Sequence, residues 1–130
     1  MIVLDASAVV EWLLQSRRGL RIAQRIFAAG QSSHAPHLLD VEVAQALRRS
    51  VALHGLSASR AEEALEDFGN LRIYRYSHTP FLRRIWLLRE NLTCYDALYV
   101  ALAEALDATL LSCDTKLAAA PGHRARVEVI

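Results

Sequence analysis

Four acidic residues, Asp5, Glu42, Asp96 and Asp114, occupy positions from which a carboxylate can do chemistry. Two of them sit in one stretch, Asp96 in Thr93-Cys94-Tyr95-Asp96-Ala97-Leu98 and Asp114 in Leu110-Leu111-Ser112-Cys113-Asp114-Thr115-Lys116. Leu98, Tyr99, Leu102 and Leu106 recur at helical spacing behind the N-capping Thr93, so Asp96 belongs to a helix's first turn. Thr109 to Ser112 then reads as a short buried strand. A strand that follows a helix through a tight turn at Asp107-Ala108 runs back along it. Its carboxyl end therefore returns beside the helix's amino end, and Asp96 and Asp114 share one edge. Asp5 ends the apolar run Ile2-Val3-Leu4 just before a helix from Ala8 to Gln15, where a plain helix cap by Asp5 or Ser7 is an equal reading. Glu42 lies in the second turn of a helix from Leu38 to His54, next to the stripe Leu39, Val43, Leu47 and Val51, an unusual place for a charge unless it faces a polar site.

Carboxylates gathered without partners repel one another and raise one another's pKa, which costs stability unless a cation is present. With oxygen ligands only, Mg²⁺ or Mn²⁺ is the natural ion. Such an ion activates water against a phosphodiester and steadies the leaving oxygen. Ser7, Ser112 or Thr115 is placed to hold water bound to it. Zinc has no comparable support: His34-Ala35-Pro36-His37 has ligand-like spacing, but its proline points to a loop entering a helix. Cys94 and Cys113 each lie beside an acid of interest, and are read as small packed residues rather than a redox pair.

The elements that would position these groups alternate strand and helix. Arg18 to Ala29 is a second helix, with Ile22, Ile26 and Phe27 inward and Gly30 closing it. Its Arg18, Arg21 and Arg25 are read as a solvated row, with phosphate contact as the alternative. Ser32 to Ala35 is a short strand, after which Pro36 takes the first position of the helix that carries Glu42. Ser57 to Phe68 is amphipathic, with Ala61, Ala64, Leu65 and Phe68 inside. Leu71 to Tyr76 reads as a strand and Phe81 to Glu90 as a helix whose Phe81, Ile85, Trp86 and Leu88 are read as core, with part of a partner groove as the alternative. A short helix from Thr115 ends near Pro121-Gly122, and Val127 to Ile130 is an edge strand. The expected class is α/β, a single domain over residues 1–130 with a mostly parallel central sheet of about five strands flanked by helices. In that arrangement all four acids fall at the carboxyl edge of the strands, where open sheets bind ligands.

Composition agrees. A hydrophobic fraction of 53% suits strands covered on both faces. No apolar run approaches the roughly 20 residues of a membrane span, and no signal-type start is present, so a cytoplasmic protein is expected. The formal charge of +1 conceals a division: with the four acids set aside, ten acidic residues remain against fifteen basic ones, of which fourteen are arginine. An acidic pocket in a mildly basic surface suits a polyanion bridged by metal. A phosphorylation-receiver domain of similar size would need an acidic pair after the first strand, and here Asp5 stands alone.

The ordered segments Ile2-Val-Leu-Asp5-Ala-Ser7-Ala8, Pro36-x5-Glu42-Val43-x3-Leu47, Leu92-Thr93-x-Tyr95-Asp96-Ala97-x-Tyr99-x-Ala101-Leu102-Ala103 and Leu110-Leu111-Ser112-x-Asp114-x-x-Leu117 resemble the successive motifs of PIN-domain ribonucleases. More narrowly they are similar to the VapC toxins of bacterial type II toxin–antitoxin pairs. The resemblance spans nearly the whole chain. It implies a parallel sheet flanked by helices, Mg²⁺- or Mn²⁺-dependent endonucleolytic cleavage of RNA, and a homodimer held inactive by a VapB-type antitoxin. It implies Asp5, Glu42, Asp96 and Asp114 as catalytic and metal-binding residues, with Ser7 and Thr115 nearby. Ser112 stands where threonine is common, and Cys113 precedes the acid, both mild departures. The alternatives are a PIN-like binding module without turnover, which has no use for clustered charge, and a DNA nuclease, for which the chain is short.

Overall fold

Every one of the 130 residues is described by the computed structural model. Strand β1 (Ile2–Leu4) is central, and its three side chains are all buried because helices cover both faces of the sheet. The chain then lays down α1 (Ala6–Leu13), α2 (Arg17–Ile26) and β2 (Ser33–Pro36), followed by α3 (Leu38–Leu53), α4 (Ala58–Asn70) and β3 (Ile73–Tyr76). A 3₁₀ turn at Thr79–Phe81 leads into α5 (Leu82–Leu87), α6 (Cys94–Leu106), β4 (Thr109–Ser112), α7 (Thr115–Ala119) and β5 (Arg126–Val129).

All five strands are parallel, in the order β3-β2-β1-β4-β5. The chain therefore builds outward from β1 on one side and returns to its other side with β4. Leu4 pairs with Leu111, and the Asp5 amide extends that ladder by donating to the Leu111 carbonyl at 3.3 Å. The crevice between β1 and β4 is the sheet's topological switch point, the place where open α/β sheets take their ligands.

Local signals account for most boundaries. Asp5, Ser16, Ser57, Thr93 and Asp114 cap α1, α2, α4, α6 and α7 with their side chains. The turn from α6 into β4 is made by Asp107 in the left-handed conformation, with φ 47°. Helix α3 has no such cap. Its first amide, at Leu38, donates instead to His78 Nε2 at 3.2 Å, a residue from the connection after β3.

Five residues depart from expectation. Pro36 ends β2 rather than starting α3, so His34-Ala35-Pro36 is strand and not a loop. Phe27 is 62% exposed, because α2 stops at Ile26 and the next residue turns away from the core. Trp86 is 63% exposed: α5 is one short helix whose inward pair is Ile85 and Leu88, and the position after Ile85 lies about 100° round the axis, toward solvent. The Arg89 guanidinium lies over that indole, 4.7 Å from the ring centre. Leu65 and Val51 likewise lie at the edge of their helices' apolar stripes and are partly exposed. No helix is long and apolar enough to cross a membrane.

Candidate active site

Asp5 is the most constrained of the four acids. It is 8% exposed, and both carboxylate oxygens are occupied. Oδ1 accepts the Ser7 hydroxyl at 2.6 Å and the Ala8 amide at 2.9 Å, while Oδ2 accepts the Ser112 hydroxyl. The same serines each receive a backbone amide from the turn after β4. Ser7 Oγ accepts Cys113 N–H at 2.9 Å, and Ser112 Oγ accepts Asp114 N–H at 3.0 Å. Thus the end of β1 and the β4–α7 turn are stitched together through Asp5. The cap reading of Asp5 holds, and Asp114 is a cap as well: each carboxylate closes the amino end of the helix that follows it.

Glu42 projects from the second turn of α3 and accepts the Tyr99 hydroxyl through Oε2. Tyr99 is buried in α6, one helical turn beyond Asp96. Asp96 itself is held by Thr93, whose Oγ1 accepts the Asp96 amide at 3.2 Å and donates to Asp96 Oδ2 at 3.0 Å. Burial holds the Asp5 carboxyl above the usual carboxylate range despite three hydrogen bonds, with the negative charge of Asp96 adding to the effect. Glu42 is raised in the same way, first by burial and then by the charges of Asp96 and Asp5, against the opposing Tyr99 hydrogen bond. Tyr99 in turn is pushed upward by burial, by its bond to Glu42 and by all three carboxylates.

Asp5, Glu42 and Asp96 thus act on one another's charge, while Asp114 is tied to Asp5 only through its backbone amide, which donates to Ser112. Asp114 is half-buried, with Oδ1 accepting the Lys116 amide at 2.8 Å. Thr115 is exposed at the start of α7, and its hydroxyl takes no part in this network. Ser7 and Ser112, expected to hold water, instead donate to the Asp5 carboxylate. Sequence reasoning missed Tyr99, which counts as one more apolar residue at helical spacing; its hydroxyl and its position one turn after Asp96 were the only signal available.

None of the four acids has a basic partner. Every ion pair in the chain uses another acid: Arg25–Glu128, Arg60–Glu63, Arg75–Asp40, Arg84–Glu104, Arg89–Glu90 and Arg126–Asp107. Nor do any three Asp, Glu, His or Cys side chains stand close enough to enclose an ion by themselves. The donor set is that of a hard cation which binds through one or two carboxylates and keeps most of its water. His34 is unsuited to any metal, because its Nδ1 meets the Tyr76 hydroxyl and its Nε2 the Ser32 hydroxyl, both at 2.8 Å. Cys94 and Cys113 are free thiols, and Cys113 is raised by burial and by the nearby Asp5 charge.

The family model for the PIN domain matches residues 2–122. The chain is 45% identical over 129 residues to Ribonuclease VapC1 of Mycobacterium tuberculosis, covering 98% of this chain and 96% of that one. It is 40% identical over 130 residues to Ribonuclease VapC12 of the same organism, covering 100% and 99%. Among solved structures, VapBC2 from Rickettsia felis bound to a DNA fragment from their promoter superposes with a TM-score of 0.73 at 16% identity, over 99% of this chain and 98% of that one. PAE2754 from Pyrobaculum aerophilum gives 0.72 at 22% identity, over 98% and 83%.

Proposed function

The chain belongs to the PIN-domain family and, within it, to the VapC ribonucleases, and on that ground we propose that it is the toxin of a VapBC-type pair, an endoribonuclease that hydrolyses RNA with Mg²⁺ or Mn²⁺ at Asp5, Glu42, Asp96 and Asp114. The observation that carries this reading is that Asp5, Glu42 and Asp96, none of them with a basic partner, lie near enough beside the switch point of the sheet to act on one another's charge, in a chain with fifteen basic residues. A pure scaffold gains nothing from leaving them so.

Asp5, Asp96, Asp114 and Glu42 would hold the ion. When bound, it supplies neutralisation of these charges, a grip on phosphate oxygens and a lowered pKa for water. The chain's own residues supply position. Ser7 and Ser112 hold the Asp5 carboxylate from both sides, Thr93 fixes Asp96 at the amino end of α6, and Tyr99 aims Glu42. Three of the four carboxylates sit at helix amino ends, whose partial positive charge steadies an anion and favours a phosphate beside them. The remaining basic residues lie outside the acids and meet the rest of the polyanion. Arg18, near enough to oppose the upward shift of Cys113, is one of them.

A VapB-type antitoxin is the expected protein partner, together with a second copy of the chain. An antitoxin suits this site if it places a basic side chain among the acids and an apolar helix beside Trp12 or Trp86. The deciding experiment incubates the partner-free protein with total cellular RNA and Mg²⁺, alongside chelator and Asp96→Asn. Discrete fragments that need both the ion and Asp96 support the proposal. Metal-independent cleavage, or full activity in Asp96→Asn, would refute the assigned site.

A further inference from the structure

A groove opens directly beside the acids, between α3 and the amino end of α6. Its volume is about 420 Å³, and Glu42 lines both it and the acidic group. The floor is apolar, from Ala6, Leu38 and Ala46. One wall is Tyr95, which is 63% exposed and precedes Asp96. Along α3 the positions Glu42, Gln45, Ala46 and Arg49 share one helix face, so Arg49 lies about 10 Å from Glu42 along the axis. Gln45 and Arg49 are exposed, and Arg49 joins none of the chain's ion pairs.

An exposed aromatic face, a shallow apolar floor and a free guanidinium are what a single-stranded nucleic acid uses: the ring stacks a base, and the cation meets a phosphate. Continuity with the acids fixes which base. A strand whose scissile phosphate lies over Asp5 and Asp96 has this groove directly beside it, past Glu42 and along Tyr95, the neighbour of Asp96. We propose that this groove is the nucleotide-selecting subsite of the enzyme, with Tyr95 stacking the RNA base that flanks the cut and Arg49 holding the phosphate beyond it. The assignment rests on the ribonuclease reading for its substrate, but its geometry is separable from catalysis.

Two measurements test it. A short labelled single-stranded RNA of random sequence is titrated into protein carrying Asp5→Asn, with and without Tyr95→Leu, Tyr95→Phe or Arg49→Gln. Cleavage of cellular RNA is then compared for the same groove variants in the otherwise native chain, with ends mapped and Tyr74→Leu as a distant exposed control. Tyr95→Leu is expected to weaken RNA binding and raise KM roughly tenfold, with little change in kcat, and to erase the base preference beside the cut. Tyr95→Phe keeps both, since a phenyl ring stacks as well. Arg49→Gln raises KM and lessens its salt dependence without changing base preference. Unchanged RNA binding in Tyr95→Leu overturns the subsite even if no cleavage is found in any variant. So does a loss of activity in Tyr95→Leu that size-exclusion traces to a broken dimer, because the groove then belongs to a second copy of the chain. Failure of the native chain to cut RNA, with Tyr95-dependent binding intact, counts against the nuclease reading alone.

Discussion

Asp5 holds the sharpest local conflict in the molecule. Three donors serve its carboxylate, yet burial outweighs them and its charged form is disfavoured. Asn is as good an N-cap as Asp and carries no charge. Asp5→Asn is therefore expected to abolish cleavage while raising the metal-free stability by roughly 1–2 kcal/mol, read as a higher Tm in chelator. The sign of the pH effect follows from the same shift. Between the ordinary carboxyl pKa and the raised one, the folded state binds more protons than the unfolded state, so metal-free stability falls as pH rises through that window. Asp5→Asn should flatten this fall, and a slope identical to that of the native chain would show that Asp5 does not cause it. Tyr99 works in the opposite direction, since its hydroxyl is the one hydrogen bond that favours charged Glu42. Tyr99→Phe keeps the buried ring and loses that donor. It should weaken Mg²⁺ binding about tenfold, measured by calorimetry, and leave the far-ultraviolet spectrum unchanged.

Helices α1 and α2 are pressed together where Gly19 meets the end of α1. A Cβ at Gly19 would stand 2.1 Å from the Glu11 carbonyl oxygen, which is backbone and cannot move aside alone. Gly19→Ala is thus expected to cost at least about 3 kcal/mol or to prevent folding, and with α1 goes the cap that seats Asp5. Retention of native Tm would mean that the two helices slide apart cheaply. Helices α5 and α6 are clasped by Arg84 and Glu104 through two bonds at 2.8 and 2.9 Å, and Glu104 also accepts the Arg124 amide at 3.0 Å. That partnership, chiefly with Arg84, holds the Glu104 carboxyl below its usual range. Its contribution is present above the unfolded-state pKa and disappears as pH falls through the depressed folded value. Glu104→Gln should cost roughly 1–3 kcal/mol near neutrality and little in strong acid, visible in urea midpoints taken at both.

The chain as a whole separates its charges: six of its other ten acids are held in ion pairs, whereas none of Asp5, Glu42, Asp96 and Asp114 is. A cation that binds only the folded crevice stabilises by mass action, about 2.7 kcal/mol at a hundredfold excess over its Kd. Mg²⁺ should therefore raise the Tm of the native chain and not that of Asp5→Asn, whereas an equal rise in both would locate binding elsewhere. Two tryptophans report on protein partners. Trp86 is exposed and Trp12 packs against Phe27 with ring centres 5.9 Å apart, so docking of an antitoxin helix should blue-shift the fluorescence of one of them.

The succession of strands and helices, the edge that collects the acids and the caps at Asp5 and Thr93 were all readable from Ile2-Val-Leu-Asp5, from the Thr93 motif and from the turn at Asp107, because periodicity and capping are short-range physics. The core reading of Trp86 and the inward reading of Phe27 fail for a related reason: a hydrophobic residue near the end of a helix faces the core only if a neighbouring element is there to meet it. The tie of Tyr99 to Glu42, the two serines that stitch Asp5 to the turn after β4, and the groove between Tyr95 and Arg49 join residues far apart in the chain. They exist because β4 returns to the free side of β1, and that choice of neighbour depends on how whole layers bury their faces rather than on any local run of residues.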